Sequence, residues 1–210
     1  MIRVMIVEDQ KLVRSLLESY IQNEDGYQLA VSIPGAAEAP ILCDTEDIDL
    51  VLMDVQTEHR ENGLAAAKKI RKAHPEIKIV VATSLIDTQV LARAKAVGAD
   101  SLWYKDHGTE ELMSVVKRTL VGEKVFPDIA PTIEMEGTMS DVFSPRQLDI
   151  LRLYIKGFTY QEIADKLGIS KNGVRWNLDD MVEKGSFKSR EALVATAIEN
   201  KLMVTTLKDE

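Results

Sequence analysis

The chain has 210 residues, a formal net charge of −8 and a sequence pI near 5.1, which allows one large domain or two small ones. With 45% hydrophobic and 29% charged residues, a packed core is feasible and global disorder is excluded. The single cysteine, Cys43, excludes an internal disulfide and a zinc fold. No apolar run approaches the ~18 residues of a membrane span, and no signal segment opens the chain, so we expect a cytoplasmic protein with no membrane partner.

The first 122 residues alternate between short apolar runs and helical patterns. The apolar runs predict strands at Ile2–Val7, Leu29–Ile33, Leu50–Met53, Ile77–Ala82 and Ser101–Tyr104. The helical patterns predict helices at Lys11–Asn23, Ala36–Cys43, Leu64–Ala73, Gln89–Val97 and Glu110–Val121. Strands without polar alternation, separated by helices, indicate a parallel sheet covered on both faces. The predicted fold is therefore α/β, a flavodoxin-like doubly wound (βα)5 domain over residues 1–122.

The remainder of the chain predicts a linker and a second, all-α domain. Residues 123–142 contain prolines and glycine without sustained periodicity, which indicates a linker. Residues 143–210 predict helices near 145–156, 160–167, 171–184 and 189–200. Two capping boxes mark helix starts at Ser144 and Thr159, and Gly168 followed by Ser170 marks a tight turn. Two helices joined by such a turn have the form of a helix-turn-helix.

Charge is divided unevenly between these parts. Residues 1–137 carry 15 basic and 23 acidic side chains, whereas residues 138–210 carry 11 of each. All of the acidic excess therefore lies in the first part. An acidic pI argues against nucleic acid binding, but this division removes that objection for the helical part.

Several chemically active side chains follow the predicted strands, at the sheet edge where α/β proteins bind ligands. They are Glu8 and Asp9, Asp54, Thr83 and Ser84, and Lys105. Three carboxylates in one crevice repel unless a cation neutralises them, and oxygen ligands suit Mg²⁺. A carboxylate beside such an ion can attack phosphorus to form an acyl phosphate. A hydroxyl and an ammonium group can then hold the transferred phosphoryl oxygens.

These residues also carry a family resemblance. The segments Val7-Glu8-Asp9, Leu52-Met53-Asp54, Gly63, Ala82-Thr83-Ser84, Gly98-Ala99 and Lys105-Asp106 resemble the receiver domain of two-component response regulators. The resemblance implies that Asp54 accepts a phosphoryl group from a sensor histidine kinase. It implies Mg²⁺ ligands at Glu8, Asp9, Asp54 and the Gln56 carbonyl. It also implies a switch hydroxyl at Thr83, beside Ser84, and a phosphate-binding amine at Lys105.

The chain departs from the receiver pattern at two places. Thr57-Glu58 stands where the family usually has Met-Pro, and Leu102 stands where it usually has the switch aromatic. Trp103 is adjacent, but a one-residue offset in a strand points a side chain to the opposite face, so it is no simple substitute. The departures leave open an alternative, a regulator of the same architecture that works independently of phosphorylation.

The helical domain carries a second resemblance. Phe143-Ser-Pro-Arg-Gln-Leu-Asp-Ile-Leu151, with Lys156-Gly-Phe-Thr159, Glu162-Ile-Ala164, Leu167-Gly-Ile-Ser170 and Val174-Arg175, resembles the LuxR/NarL-type helix-turn-helix over residues 143–203. The resemblance implies that the helix beginning at Lys171 lies in a DNA major groove.

Helical spacing predicts which side chains of that helix face DNA. Val174, Leu178 and Met181 form one buried stripe, and Trp176 lies about 180° from it. A tryptophan opposite the core stripe favours groove contact over a protein interface or plain surface. Asn172 and Arg175 lie on or beside the outward face as base readers, and Lys171 can reach a phosphate.

Two features of this helix weaken the predicted DNA contact. Asp179 and Asp180 place two carboxylates where they would repel phosphates, and Gly173 costs about 1 kcal/mol of helix stability relative to Ala. We therefore expect modest affinity for a monomer and a homodimer on paired half-sites.

The leading interpretation is a transcription factor switched by phosphorylation of Asp54, binding promoter DNA as a dimer. The phosphorylation-independent regulator is the alternative. An aspartyl-nucleophile phosphatase is disfavoured because such enzymes place a second Asp two residues after the nucleophile, where this chain has Gln56. We therefore do not expect an enzyme beyond the receiver's own phosphoryl transfer and hydrolysis.

Overall fold

The computed structural model describes residues 1–85, 88–105, 111–128, 131, 134–135, 138–200 and 202. The chain divides into two compact units between residues 130 and 131. The predicted helix start at Glu110 and residues 203–210 of the predicted helical domain lie outside the described residues.

The first unit is built on a five-stranded parallel sheet, as predicted. Its strands are β1 (Ile2–Val7), β2 (Tyr27–Ile33), β3 (Leu50–Met53), β4 (Lys78–Thr83) and β5 (Ser101–Tyr104), in the order β2-β1-β3-β4-β5. The predicted bounds of β1, β3 and β5 are confirmed, β2 begins two residues earlier, and β4 is displaced by one residue. The four residues of β3 are all buried, as expected for a central strand covered on both faces.

The helices of this unit are α1 (Lys11–Gln22), α2 (Ala39–Thr45), α3 (Gly63–Ala73), α4 (Thr88–Ala96) and α5 (Leu112–Leu120). All five predicted helices are present, and their bounds differ from the predicted ones by at most three residues. The largest shift is at α2, which begins at Ala39 rather than Ala36. Pro40 lies in its first turn, where the missing N–H is not needed.

One side of the sheet packs against α1 and α5 in a continuous apolar core. Alternate residues of β1 and β3 meet Leu17 and Ile21 of α1 and Val116 of α5, all of them 2% exposed or less. Trp103 of β5 packs against this core, whereas the fully buried neighbour Leu102 is not part of it. Adjacent residues of a strand point to opposite faces, so the predicted separation of Leu102 from Trp103 agrees with their packing.

The segment after β3 forms a local structure that the sequence did not predict. Gln56–Thr57 pairs in antiparallel fashion with Glu61–Asn62 around a 3-10 turn at Glu58–Arg60. The Thr57 hydroxyl, 2% exposed, accepts a hydrogen bond from the Ala36 amide at 3.0 Å. Thr57, which departs from the family pattern, therefore has a structural role, because its side chain connects this segment to the residues that precede α2.

The second unit contains α6 (Pro145–Ile155), α7 (Tyr160–Leu167), α8 (Lys171–Lys184) and α9 (Arg190–Glu199), close to the predicted bounds. Both predicted capping boxes are present, and Ser170 accepts a hydrogen bond from the Gly173 amide at the start of α8. Gly168 has a φ of 63° in the α7–α8 turn, a conformation that favours glycine. Part of the predicted linker is ordered, with a strand pair at Glu134–Met135 and Thr138–Met139 and a 3-10 turn at Ser140–Val142.

Within the described ranges, the helices are all too short or too polar to cross a membrane.

Gly63 provides a test of close packing behind the carboxyl end of β3. A Cβ at this position would lie 1.8 Å from the Asp54 carbonyl oxygen, and the Gly63 amide donates to the Val55 carbonyl at 2.9 Å. We expect Gly63→Ala to lower the free energy of unfolding by about 3 kcal/mol, because the backbone must move. Urea unfolding of the full chain measures this loss.

Ala65→Gly in the same helix is the matched control, and its expected cost is about 1 kcal/mol from helix propensity. If propensity dominated, Gly63→Ala would instead stabilise the protein, which would contradict the packing argument.

Candidate functional site

Three carboxylates meet at the carboxyl edge of the sheet, as the sequence predicted. Glu8 and Asp9 follow β1, and Asp54 follows the neighbouring strand β3. One oxygen from each of the three lies within 4.8 Å of the other two. The Asp54 amide donates to the Val7 carbonyl at 2.9 Å, which holds the two strand ends side by side. We refer to Glu8, Asp9, Asp54 and Lys105 as the acidic pocket.

Lys105 contributes the positive charge of the acidic pocket from the end of β5. Its ammonium bonds a Glu8 carboxylate oxygen and lies 3.0 Å from Asp54 Oδ2. The lysine side chain is only 5% exposed and that of Glu8 is fully buried, so this ion pair is not a surface contact. Three carboxylates and one ammonium leave a formal charge of −2 when all are ionised, which a divalent cation would balance.

Backbone amides orient the two buried carboxylates. The Val55 amide donates to Asp54 Oδ1 at 2.7 Å, and the Gln10 amide donates to Glu8 Oε1 at 2.9 Å. Arg14 of α1 donates to the Glu8 carbonyl at 2.7 Å and fixes the loop after β1. Asp9, by contrast, is half-buried, so the acidic pocket is open to solvent on its side.

Burial raises the pKa of Asp54 from an ordinary value of 3.8 to about 6. The Lys105 ammonium acts in the opposite direction, and the Glu8 carboxylate adds to the increase. Near neutral pH the Asp54 carboxylate is thus ionised but poorly compensated. A cation bound beside such a poorly compensated carboxylate would stabilise its ionised form.

The other predicted residues of this edge differ in their placement. Thr83, at the end of β4, is fully buried, and its hydroxyl oxygen accepts from the Leu85 amide at 3.1 Å. Ser84 is half-buried in the bend after β4. Gln56 is half-buried two residues beyond Asp54, and Leu102 is 2% exposed opposite Val81 in the β4–β5 register. Leu102 is therefore a core side chain, and it brings no polar group to the acidic pocket.

Helix α8 presents the predicted outward face of the second unit. Val174, Leu178 and Met181 are fully buried, and Trp176 is 62% exposed, as their helical spacing predicted. The remaining predicted DNA-contacting residues, Lys171, Asn172, Arg175 and Asp179, are also exposed. The exposed Trp176, with Arg175 and Asp179 on the same side of the helix, distinguishes this face from the apolar side that packs on α6 and α7.

The two aspartates of α8 differ from expectation, because neither is a free carboxylate. Asp179 pairs with Arg190, the first residue of α9. Asp180 pairs with Lys184 at 2.6 Å and accepts from Gln147 Nε2 at 2.6 Å. The repulsion of phosphate predicted for these residues is reduced accordingly. Nothing in the sequence pattern pairs Arg190 with Asp179, since the contact depends on how α9 packs beside α8.

Comparison with known families fits both units. Residues 4–117, more than half of the chain, match the family described as "Response regulator receiver domain". The chain belongs to the response regulators. Residues 141–197 match the family described as "Bacterial regulatory proteins, luxR family", which gives this response regulator a LuxR-type DNA-binding domain.

The chain is similar to known proteins over nearly all of its length. The response regulator protein VraR of Staphylococcus aureus is 28% identical over 209 residues, covering 96% of this chain and 99% of the relative. VraR of Staphylococcus epidermidis is 27% identical over the same span. RcsB of Salmonella enterica serovar Typhimurium, solved with promoter DNA, is 17% identical with a TM-score of 0.61, covering 94% of this chain and 98% of that one. At this identity the RcsB likeness shows the fold alone.

The raised pKa of Asp54 predicts a pH-dependent stability. A carboxyl group whose folded-state pKa lies above its ordinary value stabilises the protein at low pH, and this contribution is lost as pH rises through about 6. In the presence of a metal chelator near pH 7.5, we expect Asp54→Asn to raise the free energy of unfolding by about 1–3 kcal/mol, because the substitution removes an undercompensated buried charge. Urea unfolding at about pH 4.5 and about pH 7.5 measures this difference, which should shrink at the lower pH.

Asp25→Asn is the control, since Asp25 is exposed and lies before β2, at the opposite edge of the sheet from the acidic pocket. A loss of stability in Asp54→Asn at both pH values would contradict the prediction.

Proposed function

We propose that this response regulator is a transcription factor switched by phosphoryl transfer from a sensor histidine kinase to Asp54, with Mg²⁺ in the acidic pocket. Phosphorylation promotes dimerisation and promoter binding by the LuxR-type domain. The observation that carries the proposal is the acidic pocket itself, in which three carboxylates converge and a buried lysine faces Asp54.

The donor set suits Mg²⁺. The convergent groups are carboxylate oxygens, the pocket opens to solvent at Asp9, and the Gln56 carbonyl is a candidate further ligand. A bound Mg²⁺ would neutralise phosphoryl oxygens and the excess negative charge around Asp54. The ligands would be Glu8, Asp9 and Asp54, with the Gln56 carbonyl in addition.

The transfer step follows from the positions of the side chains. An Asp54 carboxylate oxygen forms a bond to phosphorus while the phosphorus–nitrogen bond to the kinase histidine breaks, and the bonding electron pair leaves with the imidazole nitrogen. Lys105, already 3.0 Å from Asp54 Oδ2, pairs with a phosphoryl oxygen of the acyl phosphate. The Thr83 hydroxyl accepts from Leu85, so its own proton is available for a second phosphoryl oxygen.

DNA binding is assigned to the exposed face of α8. Arg175 and Asn172 are suited to base edges, Lys171 to a phosphate, and Trp176 to apolar contact in the groove. Two RcsB dimers bind two parallel DNAs in one solved structure of similar fold, with a TM-score of 0.63. That arrangement supports a dimer on paired half-sites for this chain.

A second candidate is a regulator of the same architecture that works independently of phosphorylation. Leu102 favours it, because a buried leucine cannot make the polar contacts of the usual switch aromatic. In this case the LuxR-type domain binds DNA whatever the state of Asp54.

Phosphorylation of the purified full chain decides between the two candidates. With Mg²⁺ and a small phosphodonor, we expect one phosphoryl group by intact mass, and none in Asp54→Asn or without Mg²⁺. Asp25→Asn is the matched carboxylate control and should be labelled like the wild type. We also expect the labelled protein to move toward dimer in size-exclusion chromatography. Labelling without any effect on assembly or DNA affinity would favour the second candidate, and absence of labelling would refute the first.

Substitution of exposed residues on α8 tests the DNA-binding assignment. We expect Arg175→Ala and Trp176→Ala each to weaken DNA binding by about 1–3 kcal/mol, because both remove groove contacts. Stability should remain nearly unchanged, since both side chains are exposed. Fluorescence anisotropy with a duplex selected by the wild-type protein measures affinity.

Tyr20→Ala is the control, an exposed aromatic residue of the first unit. Equal affinity for the α8 variants and the wild type would contradict the assignment.

A further inference from the structure

Arg190 joins three helices of the DNA-binding domain. Its Nε donates to Asp179 Oδ1 of α8 at 2.9 Å, and a second nitrogen bonds the same oxygen. A third nitrogen, Nη1, donates to the Tyr160 hydroxyl of α7 at 2.5 Å, and the guanidinium lies 5.6 Å from the centre of that ring. Ser189 caps α9 immediately before Arg190 by accepting from the Ala192 amide. The arginine is thereby held in place at a fixed helix start.

The aspartate that Arg190 engages lies on the DNA-facing side of α8. Asp179 follows Arg175 by four residues, a spacing at which opposite charges on a helix reach each other. Across the described part of the chain, however, Arg175 takes part in none of the ion pairs, and it is exposed. The two bonds from Arg190 both end on Asp179 Oδ1, so the charge of this carboxylate is already compensated and the Arg175 guanidinium is left available.

We infer that Arg190 is a positioning residue for DNA recognition: it engages Asp179, which would otherwise repel phosphates and compete with DNA for Arg175. This role rests on the proposed DNA-binding function of α8. It explains how α8 can bind in a DNA groove lined by phosphates although its exposed face carries an aspartate. The electrostatic repulsion between Asp179 and DNA phosphates is reduced within the domain by Arg190, which need not contact DNA.

Two simpler roles of Arg190 would have different consequences. If Arg190 contacted a phosphate itself, its loss would weaken binding whether or not Asp179 carried a charge. If Arg190 served only to hold the helices together through this ion pair, Asp179→Asn would break the same contact and weaken binding as Arg190→Ala does. The proposed role alone makes Arg190→Ala weaken DNA binding when Asp179 is charged but not otherwise, while Asp179→Asn by itself does not weaken it.

A double-mutant cycle on the full chain separates these roles. The probe is a labelled duplex selected from random-sequence DNA by the phosphodonor-treated wild-type protein, and affinity is measured by anisotropy over a range of salt. The variants are Arg190→Ala, Asp179→Asn, their combination, Arg175→Ala, and Arg175→Ala with Arg190→Ala. Thermal unfolding of each variant reports stability separately.

We expect Arg190→Ala to weaken binding about tenfold, close to the loss in Arg175→Ala, whereas Asp179→Asn alone should not weaken it. A loss in Asp179→Asn equal to that in Arg190→Ala would overturn the inference in favour of a structural role. In the Asp179→Asn background, Arg190→Ala should cost less than about twofold, and adding Arg175→Ala to Arg190→Ala should cost little more. Equal losses from Arg190→Ala with and without the Asp179 charge overturn the inference, as does wild-type affinity in Arg190→Ala. Failure of the wild type to select or bind any duplex instead refutes the proposed DNA-binding function, and the inference falls with it.

Discussion

The first unit depends on the ion pair that Lys105 makes inside a cluster of carboxylates. Placing Glu8 and Asp54 at adjacent strand ends buries two like charges, which is unfavourable without a cation. Lys105 supplies one positive charge, and the raised pKa of Asp54 shows that the compensation is incomplete. On the proposed function, this remaining imbalance would make the pocket responsive, because a divalent ion or a phosphoryl group would change its charge directly.

The second unit treats charge differently, since both aspartates of α8 are neutralised locally. Asp179 is held by Arg190, and Asp180 by Lys184 and Gln147, so neither is left uncompensated on the helix that carries Arg175 and Trp176. A net charge of zero over residues 138–210 therefore conceals an organised distribution. Two of the exposed positive side chains, Lys171 and Arg175, lie on the face proposed to contact DNA.

Much of the fold was predictable from local patterns. Continuous apolar runs identified all five strands, and capping residues identified the helix starts of the second unit within one residue. The antiparallel pair after β3 was missed, because each of its strands is only two residues long and leaves no periodic signal. In the sequence, Thr57 stood out only as a departure from a family pattern. In the structure, its hydroxyl accepts a hydrogen bond from the Ala36 amide.

The sequence by itself determined which residues collect at the carboxyl edge of the sheet, because hydrophobic patterning fixes the strand ends and parallel strands share one carboxyl edge. It likewise determined the buried and exposed sides of α8, because helical periodicity fixes the angle of each residue. Only the tertiary structure decided how the charges are paired, including Lys105 with Glu8 and Arg190 with Asp179. These partners are 97 and 11 residues apart, and no local pattern connects them. Ion pairing depends on distances of a few ångströms between elements, which only packing sets.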